Sequence, residues 1–175
     1  TELIPFSSQK HELYAGRAMA RQRAAGQVGA DNVSATGDFD KQQYANALAD
    51  FGKAIAEVEV LEANATSPEE RSLLAEQKTK YILWRAISRH VFKNSESALA
   101  DYETVLTRTE ISVDSAPNAQ ASTVIADSLG EIRERAYSGM GWIEYSRKNY
   151  EKSSEYFSLA KNENEEEAEA WLGLG

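Results

Sequence analysis

Apolar residues along this chain recur in steps of three and four, which places them on single stripes of α-helices. The clearest stripe, Tyr44, Ala47/Leu48, Phe51, Ala54/Ile55, Val58 and Leu61, predicts a helix from Asp38 to Glu62. Before it, an entry segment with Pro5 and Phe6 leads into a helix from Ser8 to Ala25, whose apolar side is Leu13, Met19 and several alanines. The stretch Gly26–Gly37 is rich in glycine and turn formers and reads as a loop. Ser67-Pro68-Glu69-Glu70 is a helix start: Ser67 as N-cap, Pro68 in the first turn, Glu70 closing a capping box. The third helix, Pro68–Phe92, carries Leu74, Tyr81, Trp84, Ser88 and Val91 on one face with Leu73, Leu83 and Ile87 beside it. Two apolar faces suit a helix sandwiched between neighbours.

A turn at Lys93-Asn94-Ser95 opens a fourth helix, Ser95–Thr109, striped by Ala98, Tyr102 and Val105. Glu110–Pro117 reads as a linker. A fifth helix, Asn118–Arg147, keeps Ala121, Ile125, Leu129, Ile132, Ala136, Met140 and Ile143 in register, with Gly130 as a candidate bend. A sixth spans Asn149–Asn162, and a seventh begins near Asn164. The pattern is that of an all-α chain.

Within Ala136–Gly175 four residues recur 34 positions apart: Ala136 with Ala170, Tyr137 with Trp171, Met140 with Leu174, Gly141 with Gly175. Between the copies lies the stripe Tyr150, Ser153, Phe157, Ala160. This period, alternating an aromatic-x-x-apolar-Gly helix with an aromatic/small helix, resembles the tetratricopeptide repeat (TPR). Gly141 and Ala160 are small where two helices must approach, and Tyr137, Met140, Tyr150 and Phe157 fill the space around them. Ser153 departs from the usual Ala, Lys148 from the Gly common at the turn, and Glu165 from the common Pro. Tyr44, Ala47, Phe51 and Ala54 repeat the stepping of the sixth helix. The stripes begin at Tyr44, Ser95 and Tyr150, steps of 51 and 55 rather than 34, so the expected fold is an atypical, long-helix TPR-like α-solenoid of antiparallel helix pairs. In domain terms, residues 1–37 form an N-terminal helix and loop, and 38–175 the repeats, the last one incomplete, in one continuous body.

Composition adds limits. An apolar fraction of 42% with 27% charged residues is that of an ordinary soluble, folded chain. No apolar run approaches the roughly 18 residues of a membrane span. Without cysteine there is no disulfide, zinc–thiolate site or thiol nucleophile, and the compartment stays open. Thr1 in place of Met leaves room for a removed leader or upstream domain. A net charge of −9 opposes broad binding to nucleic acid or anionic membrane.

Chemistry is sparse. His11 and His90 lack metal-ligand spacing, Gly139-Met140-Gly141 lies inside a helical pattern and is no phosphate loop, and no nucleophile–base pair stands out. The expectation is a non-enzyme with no metal and no cofactor. The family resemblance implies a concave groove for a partner peptide or helix, lined in the last full repeat by Arg135, Ser138, Trp142 and Tyr145. Trp142 is the candidate anchor, with packing against a neighbouring repeat as its other reading. A looser match puts Lys80, Leu83, Ile87 and His90 on the same groove. Ser138 and Trp142 stand where TPRs that clamp carboxylate tails place Lys and Asn, so that clamp is missing here.

Arg85, Arg89 and Lys93, at successive fours, form a basic ridge that either pairs with an acidic partner or is a solvated helix end. The ridge, with Arg17, Arg21 and Arg23, is the only support for a ribonucleoprotein scaffold. Trp171, Leu172 and Leu174 at the open C-terminal end are expected to be covered by a continuation of the chain; a third reading is a self-assembling subunit joined through them. A protein-interaction scaffold is the leading expectation.

Overall fold

The computed structural model describes residues 10–24, 38–114 and 119–163. Every regular element among them is an α-helix: α1 (Lys10–Ala24), α2 (Asp38–Asn64), α3 (Pro68–Val91), α4 (Ser95–Asp114), α5 (Ala119–Ser146) and α6 (Tyr150–Glu163). The chain divides into two compact units between Asn94 and Ser95. Within the first unit α1 packs along α2.

In the first unit, α1 and α3 both lie on α2. Arg17 and Arg21 of α1 reach Asp50 and the Asn46 carbonyl of α2, so higher numbers on one helix meet lower numbers on the other and the two are antiparallel. Tyr44 of α2 stacks near Phe92, at the end of α3, and Lys78 of α3 pairs with Glu59 and Glu62, so α2 and α3 are also antiparallel. Contacts from α1 to α3 run in parallel: His11 Nδ1 to Tyr81 OH at 2.9 Å, and Gln22 to Ser88. The stripe read from α2 is the core of this unit, with Tyr44, Ala47, Phe51, Ala54 and Val58 fully buried. Burying a side chain the size of Phe51 is worth about 2–3 kcal/mol.

The side that α1 buries differs from the expected one. His11, Ala15, Ala18 and Gln22 are buried, whereas Leu13 is exposed. The stripe is helical in period but small and polar in content, and its polar atoms are satisfied by α3. Tyr81 OH accepts from Gln77 at 2.7 Å and faces His11 Nδ1, so a short chain of hydrogen bonds crosses the α1–α3 seam. Asp50, nearly inaccessible, accepts a bidentate pair from Arg17 (2.7 and 2.6 Å) and a further bond from Arg21.

The start of α3 forms as read: Ser67 Oγ accepts from the Glu70 N–H at 3.0 Å, and Pro68 occupies the first turn. The Glu70 carboxylate closes the box one residue early, on the Thr66 N–H at 3.1 Å.

The second unit is α4, α5 and α6, with α5 in contact with both others. Arg147, just past the end of α5, pairs with Glu96 at the start of α4, and Arg133 of α5 with Glu163 at the end of α6. Ala98, Tyr102, Val105, Leu129, Ile132, Ala136, Met140 and Ile143 are buried, the stripes expected of α4 and α5. The α5 stripe residues Ala121 and Ile125 have side chains outside the described set. One expectation is corrected: α4 continues through Glu110 to Asp114, shortening the linker.

Two turns share one geometry. After α3, the Asn94 N–H bonds to the Arg89 carbonyl and the Lys93 N–H to that of His90, each at 2.9 Å. After α5, Asn149 bonds to Glu144 and Lys148 to Tyr145 in the same way, again at 2.9 Å. This double bond from the two residues past the helix end is the Schellman closure, and it needs a left-handed residue. Lys93 (φ 62°) and Lys148 (φ 64°) supply it, in the place where glycine is usual.

Glycine is required at two positions inside α5. A Cβ on Gly139 would fall within the Tyr102 ring of α4, and one on Gly141 would lie 2.8 Å from Cε1 of Phe157 on α6.

Two outcomes are expected. Gly139→Ala should destabilise the fold by about 1–3 kcal/mol in urea titration, despite alanine's gain of about 1 kcal/mol in helix propensity, because Tyr102 is buried and has nowhere to turn. Gly141→Ala should cost less, since Phe157 is only half-buried. Separately, Arg17→Ala/Arg21→Ala should lower the melting temperature more than Asp50→Asn. The first strands a buried carboxylate, while the second frees guanidinium groups that already reach water.

Candidate functional site

On α5 the helical register divides the surface. Gly139 faces α4, where Tyr102 meets it, and Arg147, in the turn just past α5, reaches Glu96 there. Arg133 and Gly141 face α6, where Glu163, Ser153 and Phe157 meet them. Ser153 Oγ donates to the Gly141 carbonyl at 3.0 Å, so the serine at this alanine position ties the two helices together. Between these faces runs a third one, Glu131, Arg135, Ser138, Trp142 and Tyr145, each partly or fully exposed. All four groove residues expected on the last repeat lie together on it.

Its C-terminal half is aromatic. Trp142 is 40% exposed, Tyr145 54% and Tyr150 60%. The Trp142 ring meets Phe157 edge-on at 5.3 Å between centroids and Tyr145 at 5.8 Å, and Tyr145 meets Tyr150 at 5.7 Å. Edge-to-face pairs at these separations are worth about 0.5–1.5 kcal/mol beyond the area they bury. The Trp142 ring thus packs within its own hairpin and keeps its outer face open. Its N-terminal half is polar, with Arg135 paired to Glu131 one turn away at 2.7 Å.

Beneath the patch, Glu144 is buried. Its carboxylate accepts from Asn149 Nδ2 at 2.7 Å and from Arg147 Nη1 at 3.0 Å. The Asn149 bond, against the opposing effect of burial, and then Arg147 hold its carboxyl below the ordinary glutamate range. Arg147 also binds Glu96, so this acid links the α5–α6 turn to α4. Sequence reasoning missed Glu144, although its place between Ile143 and Tyr145, four residues before a Lys-Asn turn, was visible.

The second set does not form an open surface. Leu83 is only 3% exposed, a core residue where a groove contact was expected, because it continues the buried run Tyr81–Ile82 on α3. Lys80 is paired with Glu76 at 2.6 Å, and Ile87 is half-buried. His90 is half-buried as well, and burial holds its imidazole below the usual histidine value, neutral at pH 7.

Of the basic ridge, Arg85 and Arg89 are half-buried and already engaged, leaving Lys93 exposed at its turn. Lys78, on a similar face, is spent between Glu59 and Glu62. Arg17 and Arg21 are directed at Asp50, and the side chain of Arg23 lies outside the described set. Trp171, Leu172 and Leu174, the expected assembly end, lie outside the described residues too. No helix among the described residues is long and apolar enough to cross a membrane.

Comparison with protein families, curated proteins and solved structures finds no match to this chain.

The Glu144 site has a pH signature. Because its folded pKa is depressed, its contribution is complete above the unfolded value near pH 4.3 and is lost as pH falls through the lower folded value. In thermal melts from pH 7 to pH 3, Glu144→Gln should start lower than the parent, and the gap should close toward the acid end. A gap that stays constant would show that the charge of Glu144 contributes nothing.

Proposed function

We propose that this chain is a TPR-like helical-hairpin scaffold, an α-solenoid of antiparallel pairs that binds another protein through the free face of α5. The observation that carries this reading is the exposed aromatic cluster of Trp142, Tyr145 and Tyr150, braced by Phe157. Large rigid rings left partly open are the side chains that most often anchor a partner, since they bury much area for few frozen torsions. The 34-residue period and the Gly141–Phe157 approach support the family reading. Recognition, not turnover, is the activity proposed.

The ribonucleoprotein alternative is weakened by the commitment of Arg17 and Arg21 to Asp50. It is separated by experiment: affinity capture from native lysate, with and without RNase, using the parent and a Trp142→Ala/Tyr145→Ala variant. A protein retained by the parent in both arms and lost by a still-folded variant is the expected result. Retention abolished by RNase would transfer the function to RNA. Equal retention by both chains would remove the α5 face from consideration.

A further inference from the structure

The two hairpins α1–α2 and α5–α6 are built alike. Ala18 of α1 lies against Ala47 and Phe51 of α2, as Gly141 of α5 lies against Ser153 and Phe157 of α6. In that register Met19 and Gln22 on α1 stand where Trp142 and Tyr145 stand on α5, and Tyr44 on α2 where Tyr150 stands on α6. Burial at these equivalent positions differs. Tyr44 is fully buried and Gln22 nearly so, whereas Tyr145 and Tyr150 are more than half exposed.

The cause is α3, the next helix of the chain, which follows α2 after a short turn. Its Trp84 packs with Met19 on the Ala18–Ala47–Phe51 cluster, Ser88 accepts from Gln22, and Phe92 lies against Tyr44 at 6.5 Å. Residues 164–175 follow α6 as α3 follows α2, and the 34-residue period aligns Gly175 with Gly141. On α3 the small residue at that place is the fully buried Ala86. It stands 12 residues before the Ala98–Tyr102–Val105 stripe, as Gly141 stands 12 before Ser153, Phe157 and Ala160. Two residues ahead of Ala86 lies Trp84, and two ahead of Gly175 lies Gly173. Size is thus exchanged between the hairpins: Met19 goes with a tryptophan, Trp142 with a glycine.

Resting on the helical-hairpin reading above, we infer that residues 164–175 dock on the α5–α6 hairpin in the place α3 takes on α1–α2, with Gly173 over the Trp142 ring. Two arguments select this occupant over a helix from another protein. The first is size. A large side chain opposite Trp142 overfills a contact that Met19 and Trp84 already fill on the first hairpin, and Gly173 does not. The second is tethering. A segment joined directly to α6 meets the face at roughly millimolar effective concentration, against which a free partner competes poorly. The contact also narrows the protein-binding face. The positions answering to Ser88 and Phe92 fall outside 164–175, so Tyr145 and Tyr150 stay clear of it and are the rings a partner meets.

Amide hydrogen exchange over 164–175 tests this in the full chain at low protein concentration, with a synthetic peptide of the same residues as the unprotected reference. Three chains are compared: the parent, Gly173→Trp, and the exchange Trp142→Met/Gly173→Trp, which rebuilds the Met19–Trp84 pair. In the parent, exchange slower than in the peptide by about tenfold or more is expected. Gly173→Trp should erase that protection, although replacing glycine raises helix propensity. The double exchange should restore it. Protection of α2 should be equal in all three chains, because both substituted positions lie in the second unit.

Exchange at the peptide's rate in the parent overturns the inference. So does unchanged protection in Gly173→Trp, or a double exchange that restores nothing. Protection that appears only as concentration rises makes a second copy the occupant and overturns it too. The two readings fail separately. Lysate capture lost in Tyr145→Ala/Tyr150→Ala, with 164–175 unprotected in the parent, keeps the protein-binding reading and removes this one. Protection of 164–175 with capture unaffected by Tyr145→Ala/Tyr150→Ala does the reverse.

Discussion

Helix α5 touches α4 and α6 at once because Gly139 and Gly141 present no side chain to either neighbour. The Tyr102 and Phe157 rings fill the space where Cβ atoms would be, from opposite sides and two residues apart. With those sides committed, the third side of α5 is left for Ser138, Trp142 and Tyr145. The first unit reaches a comparable approach with Ala18, Ala47 and Ala54, and adds the buried Asp50 with its two arginines. Small residues set how near the helices lie, and buried charge sets which residues meet.

Much of this was legible in the chain. The stripes of α2, α4 and α5 are core, the Ser67–Glu70 start is capped as its residues require, and Gly141 sits at a helix contact. These features are local or periodic, so one sequence suffices to read them. What escaped was set by partners distant in sequence. A stripe of His11, Ala15, Ala18 and Gln22 does not look buried until Tyr81 and Ser88, 70 and 66 residues away, supply its hydrogen bonds. The family match carries Leu83 to the groove, although its place on a second apolar face of α3 already suits a covered position.

The candidate residues on α5 and those on α3 differ in burial for a physical reason. In α5, glycines hold the neighbours on two defined sides and leave a third. In α3, Tyr81, Ile82, Leu83 and Ala86 are all buried, a run of adjacent positions that takes up more than one side of the helix. A family alignment transferred to a helix with a different number of covered sides carries residues into the core. The same caution applies to Arg17 and Arg21, whose charge is visible in the sequence and whose use for Asp50 is not.

The open rings on α5 and α6 also bear on how copies of the chain behave near one another. Apolar rings at 40 to 60% exposure attract any similar patch, and contact between two of them is short-ranged. A net charge of −9 acts at longer range and holds molecules apart before the rings can meet. At physiological ionic strength that repulsion reaches only about 8 Å, and at 1 M salt about 3 Å. Salt concentration therefore sets the colloidal balance of this chain, and the carboxylates spread over its surface act as the guard of its aromatic face.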